Sequence, residues 1–123
     1  MHKFILYIGE MKRDDILKYI YPEITALLLT SDRDPLPTVL LEAMGSGALV
    51  IARDVDGVKE IIDDKKDGFI FGYDSNIKDI SKMIDNVLVS SNENIRANAV
   101  EKIKYKFSNK NKQRIVNNII ENI

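Results

Sequence analysis

Two carboxylates and a helix start lie within a short stretch of this chain, between residues 34 and 42. Pro37 suits the first position of a helix because its missing N–H and fixed φ cost nothing there. The backbone N–H groups of Thr38 and Val39 then lack intrahelical partners, and the helix dipole favours an anion beside them. Asp34 precedes the helix, and Glu42 lies four residues after Thr38 on the same helix face. An anion site flanked by hydroxyl-binding carboxylates is what a sugar nucleotide requires.

The segments around this stretch alternate between apolar runs and helical patterns. Strands are predicted over residues 4–8, 26–30, 49–52 and 69–71, and helices over 14–21, 38–45 and 56–62, the last capped by Asp56. This alternation predicts an α/β fold with a Rossmann-like parallel sheet and flanking helices. Ligands bind beyond the carboxyl ends of the strands in such sheets, so the turns at 9–13 and 30–38 are expected to line one crevice.

The C-terminal part of the chain carries no strand pattern. Asn76 and its two predecessors offer N-caps for a helix with an apolar stripe from Ile77 to Leu88, and residues 90–92 interrupt it. A second helix is predicted over 94–105, and Ser108 caps a third. The length of 123 residues fits a single domain, 1–123, with a helical C-terminal segment.

Composition excludes several classes of function. The net charge of −1 gives no global attraction to nucleic acid. Cysteine is absent and His2 is the one histidine, so neither a metal nor another cofactor is expected. No apolar run suggests a transmembrane helix and no signal peptide is recognised, which favours a cytoplasmic protein. The lysines and arginine between residues 102 and 114 suit peripheral membrane association, although a solvated helix face is the simpler alternative.

The stretch around Glu42 resembles the donor-binding region of retaining glycosyltransferases of the GT-B fold, of the group 1 or family 4 type. That family has two glutamates separated by seven residues, in the setting E-G-F-P-x-x-x-x-E-A-M-A-x-G. Here Asp34 and Glu42 have this spacing, with E-A-M-G-S-G at 42–47. The segments V-I-A-R-D-V-D-G-V-K-E-I-I at 50–62 and D-G-F-I-F at 67–71 are similar to the family's later motifs. The resemblance implies a nucleotide diphosphate sugar as donor substrate.

The resemblance also assigns a role to each matching residue. Glu42 would bind the ribose hydroxyls, and Thr38 and Val39 would hold the diphosphate through their amides. Asp34 would contact the donor sugar near the reacting carbon as the catalytic carboxylate. The alternatives are a surface glutamate at 42 and a turn-opening aspartate before a proline at 34.

Base contacts in this family come from the turn after the first predicted strand, which implicates Met11 and Arg13. Two residues depart from the family pattern: Pro35 replaces a glycine and Leu36 an aromatic residue. Proline blocks positive φ and lacks an N–H, so this change affects positioning of the sugar more than binding of the phosphates.

Transfer requires more than these motifs. The family's Gly-Arg segment and lysine, which neutralise the departing diphosphate, have no match here, and 123 residues hold one domain where a GT-B enzyme needs two. We therefore expect a donor-binding half, truncated at its N-terminal side and inactive without an acceptor-binding domain. The open sheet edge that such truncation leaves favours self-association.

Two other functions fit the same residues less fully. A non-catalytic remnant or interaction module would share the fold, and the reading frame upstream would separate it from an enzyme. An unrelated flavodoxin-like or receiver-type domain ranks last, because I-G-E-M at 8–11 provides neither a phosphate loop nor an acid cluster.

Overall fold

A computed structural model describes residues 11–31 and 37–106, apart from the side chains of Arg13 and Pro37. The elements in these ranges are α1 (Arg13–Asp15), a π-helix (Ile16–Ile20), β1 (Ala26–Leu29), α2 (Pro37–Gly45), β2 (Leu49–Arg53), α3 (Val58–Ile61), β3 (Phe69–Phe71), α4 (Ile77–Val89) and α5 (Glu93–Lys106). The strand predicted over 4–8, the helix after Ser108 and the carboxylate of Asp34 lie outside the described residues.

The described strands form one parallel sheet in the order β1–β2–β3. Leu27 pairs with Val50 across β1 and β2, and Ile51 pairs with Phe69 across β2 and β3. A helix connects each strand to the next, as parallel pairing requires. The predicted α/β class is confirmed, and so are the predicted strands within the described ranges.

β2 is buried on both faces of the sheet. Val50 and Ala52 join a cluster with α2, α3 and α5, whereas Leu49 and Ile51 join a second cluster with Phe71 and α4. Successive side chains of a strand point to opposite faces, so a strand covered on both sides is apolar throughout. The layers of helix on either side therefore explain the unbroken apolar run that predicted this strand.

Helix α5 is attached to the turn after α3 by a group of residues that we call the Lys102 cluster: Ile61, Asp63, Asp67 and Lys102. The Nζ of Lys102 donates to the carbonyl of Ile61 at 2.9 Å, to Oδ2 of Asp63 at 3.0 Å and to Oδ2 of the buried Asp67. The hydrogen bond from Lys102 lowers the pKa of Asp63. Burial lowers the pKa of Lys102, but its hydrogen bonds to Asp67 and Asp63 outweigh burial and raise it.

A second side chain of α5 also contacts the amino-terminal edge of the sheet, beside the starts of β1 and β2. Arg96 donates to the carbonyl of Gly47 at 3.0 Å and to that of Thr25 at 2.8 Å. Thr25 immediately precedes β1, and Gly47 lies two residues before β2. α5 thus holds the starts of two neighbouring strands together.

Two local predictions need correction, and one is confirmed. Asp56 does not cap α3: the helix begins after Gly57, which has a φ of +90° and leaves Asp56 one residue too far from the helix. The helix predicted over 14–21 is a short α-helix followed by a π-helix, in which Tyr21 donates to the carbonyl of Ile16. The cap of α4 is as predicted, with Oδ1 of Asn76 accepting the N–H of Asp79 at 2.8 Å.

Candidate functional site

Helix α2 begins beyond the carboxyl end of β1, where ligands bind in open parallel sheets. It starts at Pro37, as the sequence predicts. After Gly45 the chain turns back toward β2: the N–H and hydroxyl of Ser46 both donate to the carbonyl of Glu42, and Gly47 has a φ of +85°. The first turn of α2 therefore lies at the carboxyl edge of the sheet, the edge where ligands bind in such folds.

The first turn of α2 contains a buried hydroxyl. Thr38 is only 1% exposed, and its Oγ1 has no hydrogen-bond partner among the residues that the structure describes. Buried polar groups are nearly always paired, and leaving one unpaired costs about 1–3 kcal/mol. The neighbouring Val39 is partly buried, and the N–H groups of a first helical turn have no acceptor within their own helix. This turn therefore offers donors that the helix itself does not use.

Glu42 lies one turn further along α2 than Thr38, on the same face, and is partly buried. Thr38, Val39 and Glu42 are thus brought together on two consecutive turns of one helix, as the sequence predicts. Their roles in binding stay predictions. Asp34 lies outside the described residues.

Met11 and Arg13 lie on a different element from the other predicted site residues. Met11 is partly buried just before α1, and Arg13 is the first residue of that helix. The π-helix that follows packs Ile16 and Leu17 against the cluster that includes Leu40 of α2. The segment carrying Met11 and Arg13 therefore leads into an element that packs on the same core as α2.

Arg53 is a residue at this edge of the sheet that sequence reasoning did not single out. It is the last residue of β2, and its guanidinium donates to the carbonyl of Thr30 after β1 and to that of Tyr73 after β3. A charged residue that ends the apolar run 49–52 was a usable signal, because the carboxyl end of a buried strand faces the ligand edge.

Another concave region of the described residues lies away from the first turn of α2. A cavity of about 490 Å³ lies at the start of β3, between α4 and α5, and Phe69, Met83 and Val87 line it. It is at the opposite end of the strands from the first turn of α2. Within 11–31 and 37–106, no three His, Asp or Glu side chains are grouped to hold a metal ion. None of the helices described there has the length and apolar character needed to cross a membrane.

Comparison with known proteins identifies the family of this chain. The model of the family "Glycosyl transferases group 1" matches residues 2–107. The chain is similar to an alpha-maltose-1-phosphate synthase of Mycolicibacterium smegmatis (strain ATCC 700084 / mc(2)155), with 32% identity over 72 residues. Those residues are 58% of this chain and 19% of that relative, so the match spans about a fifth of the relative's length. The matched range includes β1, α2, β2 and β3, and the chain belongs to the group 1 glycosyl transferases.

Proposed function

We propose that the chain is the nucleotide-sugar donor-binding portion of a retaining glycosyltransferase of the GT-B fold and family 4 type, and that it is inactive without an acceptor-binding domain. Membership of the family supports glycosyl transfer, and the layout of α2 supports the donor side of that reaction. The observation that carries the proposal is the buried hydroxyl of Thr38, which has no partner in the described ranges and lies in the first turn of α2.

In this proposal the diphosphate lies over the first turn of α2. The N–H groups of Thr38 and Val39 donate to its oxygens, and the Thr38 hydroxyl gains an acceptor that it lacks among the described residues. The helix dipole adds about 0.3–1 kcal/mol for an anion at an exposed helix start. Glu42 accepts hydrogen bonds from the ribose hydroxyls, and Asp34 contacts the sugar. The turn at Met11 and Arg13 holds the base.

The substitution Thr38→Val gives the sharpest test, because valine has nearly the shape of threonine and lacks its hydroxyl. Without ligand, the variant should be at least as stable to urea as the parent, since the buried hydroxyl that it removes has no partner in the described ranges. The affinity for nucleotide diphosphate should fall about fivefold, because the loss of one hydrogen bond costs about 1 kcal/mol. The exposed Thr25 provides a matched control, since Thr25→Val should leave affinity unchanged. A Thr38→Val variant that binds as tightly as the parent would contradict the proposal.

The ribose contact is tested separately with two probes. Glu42→Gln should weaken binding of UDP, GDP or ADP, whichever the parent binds, and leave binding of inorganic pyrophosphate unchanged because pyrophosphate has no ribose. Glu60→Gln, on the exposed side of α3, is the control. Equal losses for both ligands would show that Glu42 does not contact the ribose.

Titration of the full chain followed by amide shifts locates the site. The largest shifts should fall among the non-proline residues of 9–13 and 34–42, and no acceptor-dependent release of nucleotide should occur from the chain alone. Shifts confined to other regions would favour the alternative of a non-catalytic interaction module. Robust turnover would contradict the need for an acceptor-binding domain.

A further inference from the structure

Arg53 ends the central strand, and its side chain contacts the backbone after both neighbouring strands. Its Nε–H donates to the carbonyl of Thr30 at 3.2 Å, and its Nη1–H donates to the carbonyl of Tyr73 at 2.6 Å. The guanidinium lies over the ring of Phe71, with Cζ 5.1 Å from the ring centroid. One side chain therefore joins the carboxyl ends of β1, β2 and β3.

These contacts suit arginine and not lysine. Arg53 and Phe71 are register partners on adjacent strands, and Phe71 is 3% exposed, so the ring is a fixed platform for the planar guanidinium. The guanidinium carries its donors in a rigid fork, which allows one side chain to reach two carbonyls in different directions. A lysine ammonium is a single point of charge without a planar face.

The contact with Thr30 matters because of where the chain goes next. Thr30 follows β1 directly, and the segment that starts there ends at the first turn of α2, which carries Thr38 and Val39. A backbone position that is fixed beside a site before a ligand arrives lowers the conformational entropy lost on binding. Arg53 can therefore influence a ligand at α2 without touching it.

We propose that Arg53 is a positioning residue for the donor site, which it serves by fixing the point where the segment from β1 to α2 leaves the sheet. This inference rests on the proposed function. The group is partly exposed, so its two carbonyl contacts are expected to affect the geometry of the loops more than the global stability of the domain.

The test uses the full chain with Arg53→Met and Arg53→Lys. Lys59→Met is the matched control, because Lys59 is an exposed cation at the same end of the sheet that pairs with the carboxylate of Asp54 and not with a loop carbonyl. In the absence of ligand, both Arg53 variants should lower the amide order parameters of Ser31 and Asp74, the residues after the two bridged carbonyls. Affinity for the nucleotide diphosphate that the parent binds should fall about fivefold in both. The control should match the parent in both measurements.

The outcomes separate this inference from the proposed function. If the parent binds no nucleotide diphosphate, the proposed function fails, and the order parameters still decide whether Arg53 fixes the loop. Unchanged order parameters at Ser31, full affinity in Arg53→Lys, or an equal loss in Lys59→Met would each overturn the positioning role. A fall in the urea midpoint large enough to account for the lost binding would indicate a merely structural role and would also overturn it.

Discussion

Replacing Lys102 by methionine removes the ammonium group that pairs with Asp67 and keeps most of the aliphatic stem. The side chain of Asp67 is 5% exposed and that of Lys102 is 17% exposed, so the pair is largely buried. Removing one partner of a buried pair costs about 3–5 kcal/mol, because the remaining charge is left without compensation. Lys102 is not fully buried, and Asp67 keeps the hydrogen bond that its Oδ1 accepts from the N–H of Asp63. We therefore expect a loss of about 2 kcal/mol in the free energy of unfolding.

Urea denaturation followed by circular dichroism measures this loss. With a slope of about 2 kcal/mol per molar urea, the midpoint should fall by about 1 M. Lys104→Met replaces an exposed lysine of the same helix and should change stability by less than about 0.5 kcal/mol. A loss in Lys102→Met no larger than in this control would refute the reasoning. Adding Asp67→Asn, which keeps an oxygen for the N–H of Asp63, should destabilise Lys102→Met less than it destabilises the parent.

Two further predictions concern the same region. The pKa of Asp63 is lowered in the folded chain and that of Lys102 is raised. The free energy of unfolding should therefore fall as the pH drops below about 3.9 and as it rises above about 10.4. Denaturation midpoints measured across pH should depend less on pH in both ranges in a variant that lacks the Lys102 ammonium. Gly68→Ala should lower the melting temperature by several degrees, because the new Cβ would lie 2.9 Å from Cγ2 of the buried Ile62 and 3.3 Å from the carbonyl of Val50. An unchanged melting temperature would contradict this prediction and show that Ile62 and Val50 can shift without loss of stability.

The local sequence pattern was sufficient to predict the strand and the helix that position the candidate site. The apolar run 49–52 predicted β2 to within one residue, and Pro37 marked the start of α2. Both are signals that a short segment carries by itself: apolar character on both faces of a strand, and a ring that fixes φ at a helix start. Thr38 and Glu42 consequently lie on one face of one helix, as their spacing predicted.

The polar contacts between distant segments could not be predicted in the same way. The pairing of Lys102 with Asp63 spans 39 residues, and the bond from Arg53 to Thr30 spans 23. No periodic pattern relates such positions, because their contact depends on how the helices and loops pack on the sheet. The predicted cap of α3 was wrong for a more local reason. Asp56 is a good capping residue by type, but Gly57 adopts the left-handed conformation, and the helix begins one residue later.

The bonds from Arg96 have a consequence for the order in which the domain is built. Arg96 is 71 residues from Thr25 and 49 from Gly47, so the starts of β1 and β2 are tied by a helix that follows them late in the chain. Contacts between such distant positions form only after the entropy of closing the intervening loop has been overcome. A nascent chain that has left the ribosome only as far as β3 contains all the described strands, but their amino ends are not yet tied and the face of α2 that packs on Ala99 is uncovered. Synthesis of α5 is therefore the step that completes this part of the domain.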